Sequence, residues 1–254
     1  MAALKSKQKG FTLVELMVAM TLSLTLLAGL MYSVLGDMRA YDNTRGSLAL
    51  VSKGRMSIQL LRLYIQQAGF RNFAQLQANF ALPVDTLGGK DLLAGQSIQG
   101  WNEVSSSPTG VTDAKDDSDI LALRFLGASE GIFNCDGTQF TDTTTATSLF
   151  IFVNDHEQLV CQVDGGAVNV LGENIEHLHL LYGLTGANYQ YYDADNVPDW
   201  TAVNRVKVSF LVAQNVTSNH LINGKAYDLF ARTISAANDT QFRNVVTETV
   251  LIRN

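Results

Sequence analysis

Hydrophobic positions along this chain change their spacing twice. Residues 11–36, FTLVELMVAMTLSLTLLAGLMYSVLG, are almost wholly apolar and hold one charge, Glu15. Residues 16–36 are uncharged throughout; as a helix rising about 1.5 Å per residue they span about 30 Å, the thickness of a bilayer's hydrocarbon core. Between Asp37 and Ala68 the pattern turns one-sided. Leu48, Val51, Ile58, Leu61 and Ile65 recur at helical steps, with Met56, Leu60 and Leu63 widening the stripe. Arg39, Arg45, Lys53, Arg55 and Arg62 take the opposite side. No proline precedes Pro83, and Gly69 is placed to cap a C-terminus, so one long helix is predicted over 11 to about 69. Gly29, Gly36, Gly46 and Gly54 each weaken it by up to about 1 kcal/mol relative to Ala, serving either bending or close packing.

Past residue 70 the texture changes to short apolar runs divided by turn residues, as in antiparallel β structure. Strands are predicted over 120–125, 148–153, 159–163, 175–182, 203–212 and 245–252. Residues 154–158 read as a hairpin turn between the second and third. Val206, Val208, Phe210 and Val212 alternate with Lys207, Ser209 and Leu211. Segments rich in Gly, Ser, Thr and Asp at 83–119, 136–147 and 185–202 read as outward-facing loops, and there is no internal repeat. The expected fold class is α+β, a long N-terminal helix laid across one antiparallel sheet.

Composition averages over these pieces and hides them. The 254 residues are 46% hydrophobic and 17% charged, with a net charge of −6 and a mean hydropathy of +0.07. Three prolines and 20 glycines exclude collagen-like and proline-rich classes, and the hydrophobic share excludes wholesale disorder. Two cysteines are too few for a disulfide-framework miniprotein. A pI near 5.1 argues against a nucleic-acid partner, whose phosphates call for a Lys/Arg surplus.

The N-terminal charges narrow the role of the apolar run. Residues 1–10, MAALKSKQKG, carry Lys5, Lys7 and Lys9 and no acid, which predicts an N-in, C-out orientation. A cleaved secretory signal has a shorter apolar region, about 7–15 residues, with its cleavage site afterwards. A plain signal anchor explains the length and the lysines but not Glu15, an acid that is costly in an apolar span. The third reading places cleavage before the run, between Gly10 and Phe11.

That reading is carried by a motif. KGFTLVELMVAM closely resembles the N-terminus of type IV prepilins and type II secretion pseudopilins. The resemblance implies a leader over 1–10, cut after Gly10 by a membrane prepilin peptidase, with Phe11 as the N-methylated N-terminus. It makes Glu15 the family's membrane-embedded acid. A lone carboxylate there needs a partner, either the Phe11 amine of a neighbouring helix, which would set axial register, or solvent at the headgroups. The implied organisation is a transmembrane segment over 11–36, a periplasmic amphipathic part over 37–69 and a β-rich domain over 70–254. QLLRLYIQQAGFRN, the strand followed by NCDG, and Trp200 before an R-V-x-V strand are similar to PilW-type minor pilins, as is a closing strand ending in Arg-Asn. J-type pseudopilins share much of this. The absence of a proline within the apolar helix favours a minor subunit. The expected function is therefore structural: a minor pilin of the inner membrane that helps prime pilus assembly and sits near the tip. The alternatives are a secretion pseudopilin and a tip adhesion module. The implied partners are other minor pilins, the major pilin, the peptidase, the inner-membrane assembly platform and membrane lipid.

Other constellations are weaker. Cys135 and Cys161 fall on the periplasmic side under this topology, where paired cysteines are the rule, with two unpaired buried thiols as the alternative. Gly127-Ala128-Ser129-Glu130-Gly131 fits a nucleophile elbow, but 132–140 does not read as the helix that must follow. Asp193, Asp195, Asn196 and Asp199 resemble part of a calcium loop, departing from it at Val197 and lacking its Gly and distal Glu. Asp113, Asp116, Asp117 and Asp119 form a second acidic cluster. His177 and His179 share a strand face, but two imidazoles do not make a zinc site, and His156 and His220 have no informative spacing. No cofactor and no enzymatic activity are expected.

Overall fold

The computed structural model describes residues 10–77, 80–186, 190–215, 224–230 and 232–252; nearly all of the leader, His220, and residues 253–254 lie outside them. Helix α1 runs unbroken over Leu13–Gln67. It stops where Gly69 adopts a left-handed φ of 72° and donates its N–H to the Arg124 carbonyl at 2.7 Å, a stop for which glycine is suited. Contacts divide the chain into two compact units, one up to Arg45 and the other from Gly46 onward. In the first, the helix includes an 18-residue window of mean hydropathy 2.0, none of it buried.

In the second unit α1 buries Leu50, Gly54, Ser57, Ile58, Leu61, Tyr64 and Ile65. Ile58, Leu61 and Ile65 face the core as predicted, but Leu48, Val51, Met56 and Leu63 are exposed. Small residues at the contact account for the rotated stripe. A Cβ on Gly54 would stand 2.7 Å from Val246 Cγ2, and one on Gly172 would collide with Ser57 Oγ. The helix docks through its slim side and leaves the bulkier neighbours out. Gly29 and Gly36, by contrast, face open space.

The one predicted sheet is in fact two. After the short helix α2 (Phe73–Gln77) and a hairpin of β1 (Asp85–Leu87) with β2 (Lys90–Leu92), five strands pair antiparallel in chain order. They are β3 (Ile98–Trp101), β4 (Ile120–Phe125), β5 (Thr147–Val153), β6 (Gln158–Val163) and β7 (Val168–Glu173). The second sheet uses β8 (Ile175–Leu184), β9 (Tyr191–Tyr192), β10 (Val203–Asn215) and β13 (Gln241–Leu251), in the order β13-β10-β8-β9. Between β10 and β13, β11 (Ala226–Leu229) and β12 (Arg232–Ser235) pair only with each other. All six predicted strands are present. The others are too short, or too polar on the outer face, to give a periodic signal.

The main core joins α1 to the inner faces of both sheets, through Leu61 and Ile65, Leu121, Leu123 and Ile151, and Leu180, Val208 and Phe210. The first sheet is apolar on its other face too. Ile120, Ala122, Phe150, Phe152 and Val160 pack against Leu87, Leu92, Trp101, Val104, Val111 and Ala114. Much of 83–119 is thus a cover over a sheet buried on both sides, which corrects its reading as an outward loop. Arg124 is sealed beneath that cover, donating to the carbonyl of Pro83 at 2.9 Å.

A register shift in the β8–β10 pairing leaves Glu176 without a strand partner, and bulges of this kind re-aim side chains. Glu176 receives three hydrogen bonds from Arg243, two from Nε at 3.0 and 2.7 Å and one from Nη2 at 2.8 Å, while Nη2 also reaches Asp239 at 2.6 Å. These bonds hold Asp239 below the usual carboxylate range. Its contribution is therefore complete above the ordinary value of 3.8 and lost as pH falls through the lower folded value.

Two outcomes follow from this packing. Gly54→Val should destabilise the folded domain by about 1–3 kcal/mol through overpacking, read as a lowered denaturation midpoint in detergent. Arg243→Met should cost about 3–5 kcal/mol at neutral pH because it strands a buried carboxylate. Its deficit relative to the native chain should shrink on acidification below about pH 4.

Candidate assembly and processing site

The start of α1 is built by four residues. Thr12 precedes the helix, and its hydroxyl accepts the Glu15 N–H at 3.2 Å. The Glu15 carboxylate in return accepts the Thr12 N–H at 2.9 Å and the Thr12 hydroxyl at 3.0 Å. This reciprocal arrangement is a capping box, which satisfies backbone donors that a helix start leaves without intrahelical partners. Gly10 and Phe11 lie immediately outside it, in exposed chain without regular structure, with Phe11 89% exposed. A peptide bond just ahead of a capped helix is accessible to a protease without unwinding the helix. The Thr-x-x-Glu spacing carried this signal in the sequence, but Thr12 was not singled out there.

Residues 5–31 match the family model for the prokaryotic N-terminal methylation motif, and residues 151–254 match that for type IV pilus-assembly protein W. The chain is pilin-like, with a PilW-type domain behind a prepilin methylation motif. Among solved structures it is similar to a type IV-like pilin from Thermus thermophilus, at 13% identity and a TM-score of 0.46 over 80% of this chain and 97% of that one. No curated protein matches it. The motif marks the exposed apolar helix of this pilin as a membrane anchor, and implies processing by a prepilin peptidase and assembly with other pilins.

In the globular part of the pilin, Cys135 and Cys161 are joined by a disulfide, with Cα atoms 5.3 Å apart. The loop carrying Cys135 is also gripped by the end of α1. Tyr64 donates its hydroxyl to the Asn134 carbonyl at 2.9 Å, and Gln67 accepts the Phe133 N–H at 2.6 Å. The disulfide thus fastens β6 to the same loop that the helix holds.

The acidic loop folds as turn chemistry. Asp193 accepts the N–H groups of Asp195 and Asn196 and the Asn196 amide, the last at 2.7 Å. Asp195 instead receives the Asn102 amide at 3.4 Å, and Asp199 caps a 3-10 turn at Trp200–Ala202 through Thr201. The Thr201 hydroxyl bond keeps the Asp199 carboxyl below its ordinary value. Among the described residues no group of three or more His, Cys, Asp or Glu side chains is placed to hold a metal.

The second acidic cluster is dispersed. Asp119 is buried and bonds His179 Nδ1 at 2.9 Å and the Leu180 N–H at 2.7 Å, whereas Asp117 lies 3.9 Å from Arg232. His177 Nδ1 lies 3.3 Å from the Asp117 carbonyl, and burial lowers its pKa. The Asp119–His179 pair bridges 60 positions and gave no local signal. Ser129 sits on an exposed loop whose carbonyl takes the Gln139 amide, and no helix follows it.

Replacing both Cys135 and Cys161 by Ala should cost about 3–4 kcal/mol, the chain-entropy value for a loop of this length. The measurement is thermal unfolding of the two chains, with and without reductant. The native chain should fall to the variant's midpoint on reduction, and the variant should not move.

Proposed function

We propose that this pilin is a minor subunit that helps prime type IV pilus assembly, cut between Gly10 and Phe11 and methylated on Phe11. The observation that carries the reading is the helix start. An exposed apolar span begins directly at a capped Thr12–Glu15 turn, so cleavage leaves a new amine four residues before a carboxylate. In the lone subunit the capping box occupies Glu15 and shields part of its charge. On assembly, a neighbouring subunit's amine competes for that carboxylate, and the pairing fixes the axial offset of adjacent helices, a role well attested for buried polar groups. The match of residues 151–254 to a pilus-assembly family favours a pilus over a secretion pseudopilus. A position near the filament tip accords with a minor subunit.

Glu15 substitutions separate the cap from the charge. Gln keeps the capping acceptor, as capping boxes accept either residue, but cannot pair ionically. Glu15→Gln and Glu15→Ala should both be cleaved and should both be depleted in sheared filaments by tenfold or more on immunoblots. Normal incorporation of Glu15→Gln would remove the charge-pairing step. Deleting the subunit should reduce surface pili; unchanged piliation with impaired secretion would favour the pseudopilin reading.

A further inference from the structure

The outer face of the second sheet is only partly covered. The β11–β12 hairpin packs on β10 and β13 and buries Leu229 there. Beyond the hairpin, among the described residues, Thr247 and Thr249 are exposed and Leu251 is 62% exposed on β13. Two cations, Arg205 and Lys207, stand side by side on this outer face, because Val206 and Val208 between and beyond them point into the core. In a chain with 24 acidic and 18 basic residues, such a pair is against the general trend.

Both are held by rings. Arg205 lies over Tyr191 at 5.3 Å and Lys207 over the same ring at 5.4 Å, while Lys207 also meets Phe230 at 4.6 Å. The arrangement is specified from two sides. Gly183 is the direct strand partner of Arg205, and a Cβ there would collide with the guanidinium stem, so only glycine lets the side chain lie flat. Phe230 occupies a left-handed φ of 58°, a conformation disfavoured for a bulky residue, and its ring lies on Lys207. None of the ion pairs among the described residues involves Lys207. Aromatic faces hold an ammonium without neutralising it, so the charge stays available to a carboxylate from outside.

We propose that this face, centred on Lys207 with Arg205, Tyr191 and Thr249, is a docking surface for an acidic segment of a partner protein. The flat sheet face suits a polypeptide rather than a small ligand. Tyr and Arg are the residue types that anchor protein interfaces, and the polar threonines supply a rim. Charge complementarity selects an acidic partner and steers its approach. The proposal does not depend on cleavage or on the Glu15 pairing.

The test places a photo-crosslinking p-benzoylphenylalanine at Thr249, which is directly opposite Lys207 across the β10–β13 pairing. The full chain is made in its own cells, irradiated, and the adduct sequenced by mass spectrometry. The expected result is one dominant protein adduct whose crosslinked segment bears at least two carboxylates. It should fall at least tenfold in Lys207→Glu and several-fold in Lys207→Met, and remain unchanged in Lys225→Glu, an exposed lysine elsewhere. Thermal melts and leader cleavage should match in all four chains. No adduct, a segment without carboxylates, a polysaccharide or nucleic-acid adduct, or equal yield from Lys207→Glu would each overturn the proposal.

Discussion

The globular unit depends on how closely α1 approaches the two sheets. Gly54 against Val246 and Ser57 against Gly172 let backbone come near backbone, and the inner faces of both sheets then close around Leu61 and Ile65. Dispersion at such contacts falls off steeply with separation, so a methyl group in the wrong place changes the whole fit. Arg62 and Glu248 form an ion pair beside this contact, and Tyr64 and Gln67 hold the disulfide-bearing loop. A single docked stretch of helix therefore positions β13, β7 and the 126–147 loop together.

The same helix does opposite work in its two halves. From Gly46 its stability comes from tertiary packing. Before Arg45 nothing in the described chain covers its apolar side chains, which are costly in water and favourable in lipid. Glu15 fits that setting because it begins the helix instead of interrupting it. As the acceptor of a capping box it serves backbone groups that no intrahelical bond satisfies.

The outer faces of the sheets show how surface becomes available. The first sheet has two apolar faces, and residues 82–118 seal the second one over Phe150 and Phe152. Among the described residues the β11–β12 hairpin covers part of the second sheet, and Arg205 and Lys207 beyond it lie over aromatic rings.

The sequence by itself determined the features whose signal is local. The helix limits, the six principal strands and the turn at 154–158 all rest on spacing or on turn chemistry within a few residues. The motif at 5–31 is likewise contiguous, which is why the resemblance to prepilins was legible before any fold. Some missed features had a local trace: the unbroken apolar run of β5 implied that both faces of its sheet were covered. Tertiary structure alone decided the division into two sheets, the side of α1 that packs, the Asp119–His179 and Glu176–Arg243 bonds, and the stacking of Lys207 on Tyr191 and Phe230. Those join residues far apart in the chain, and their geometry follows from register and from which small residues permit close approach, neither of which hydrophobic periodicity encodes.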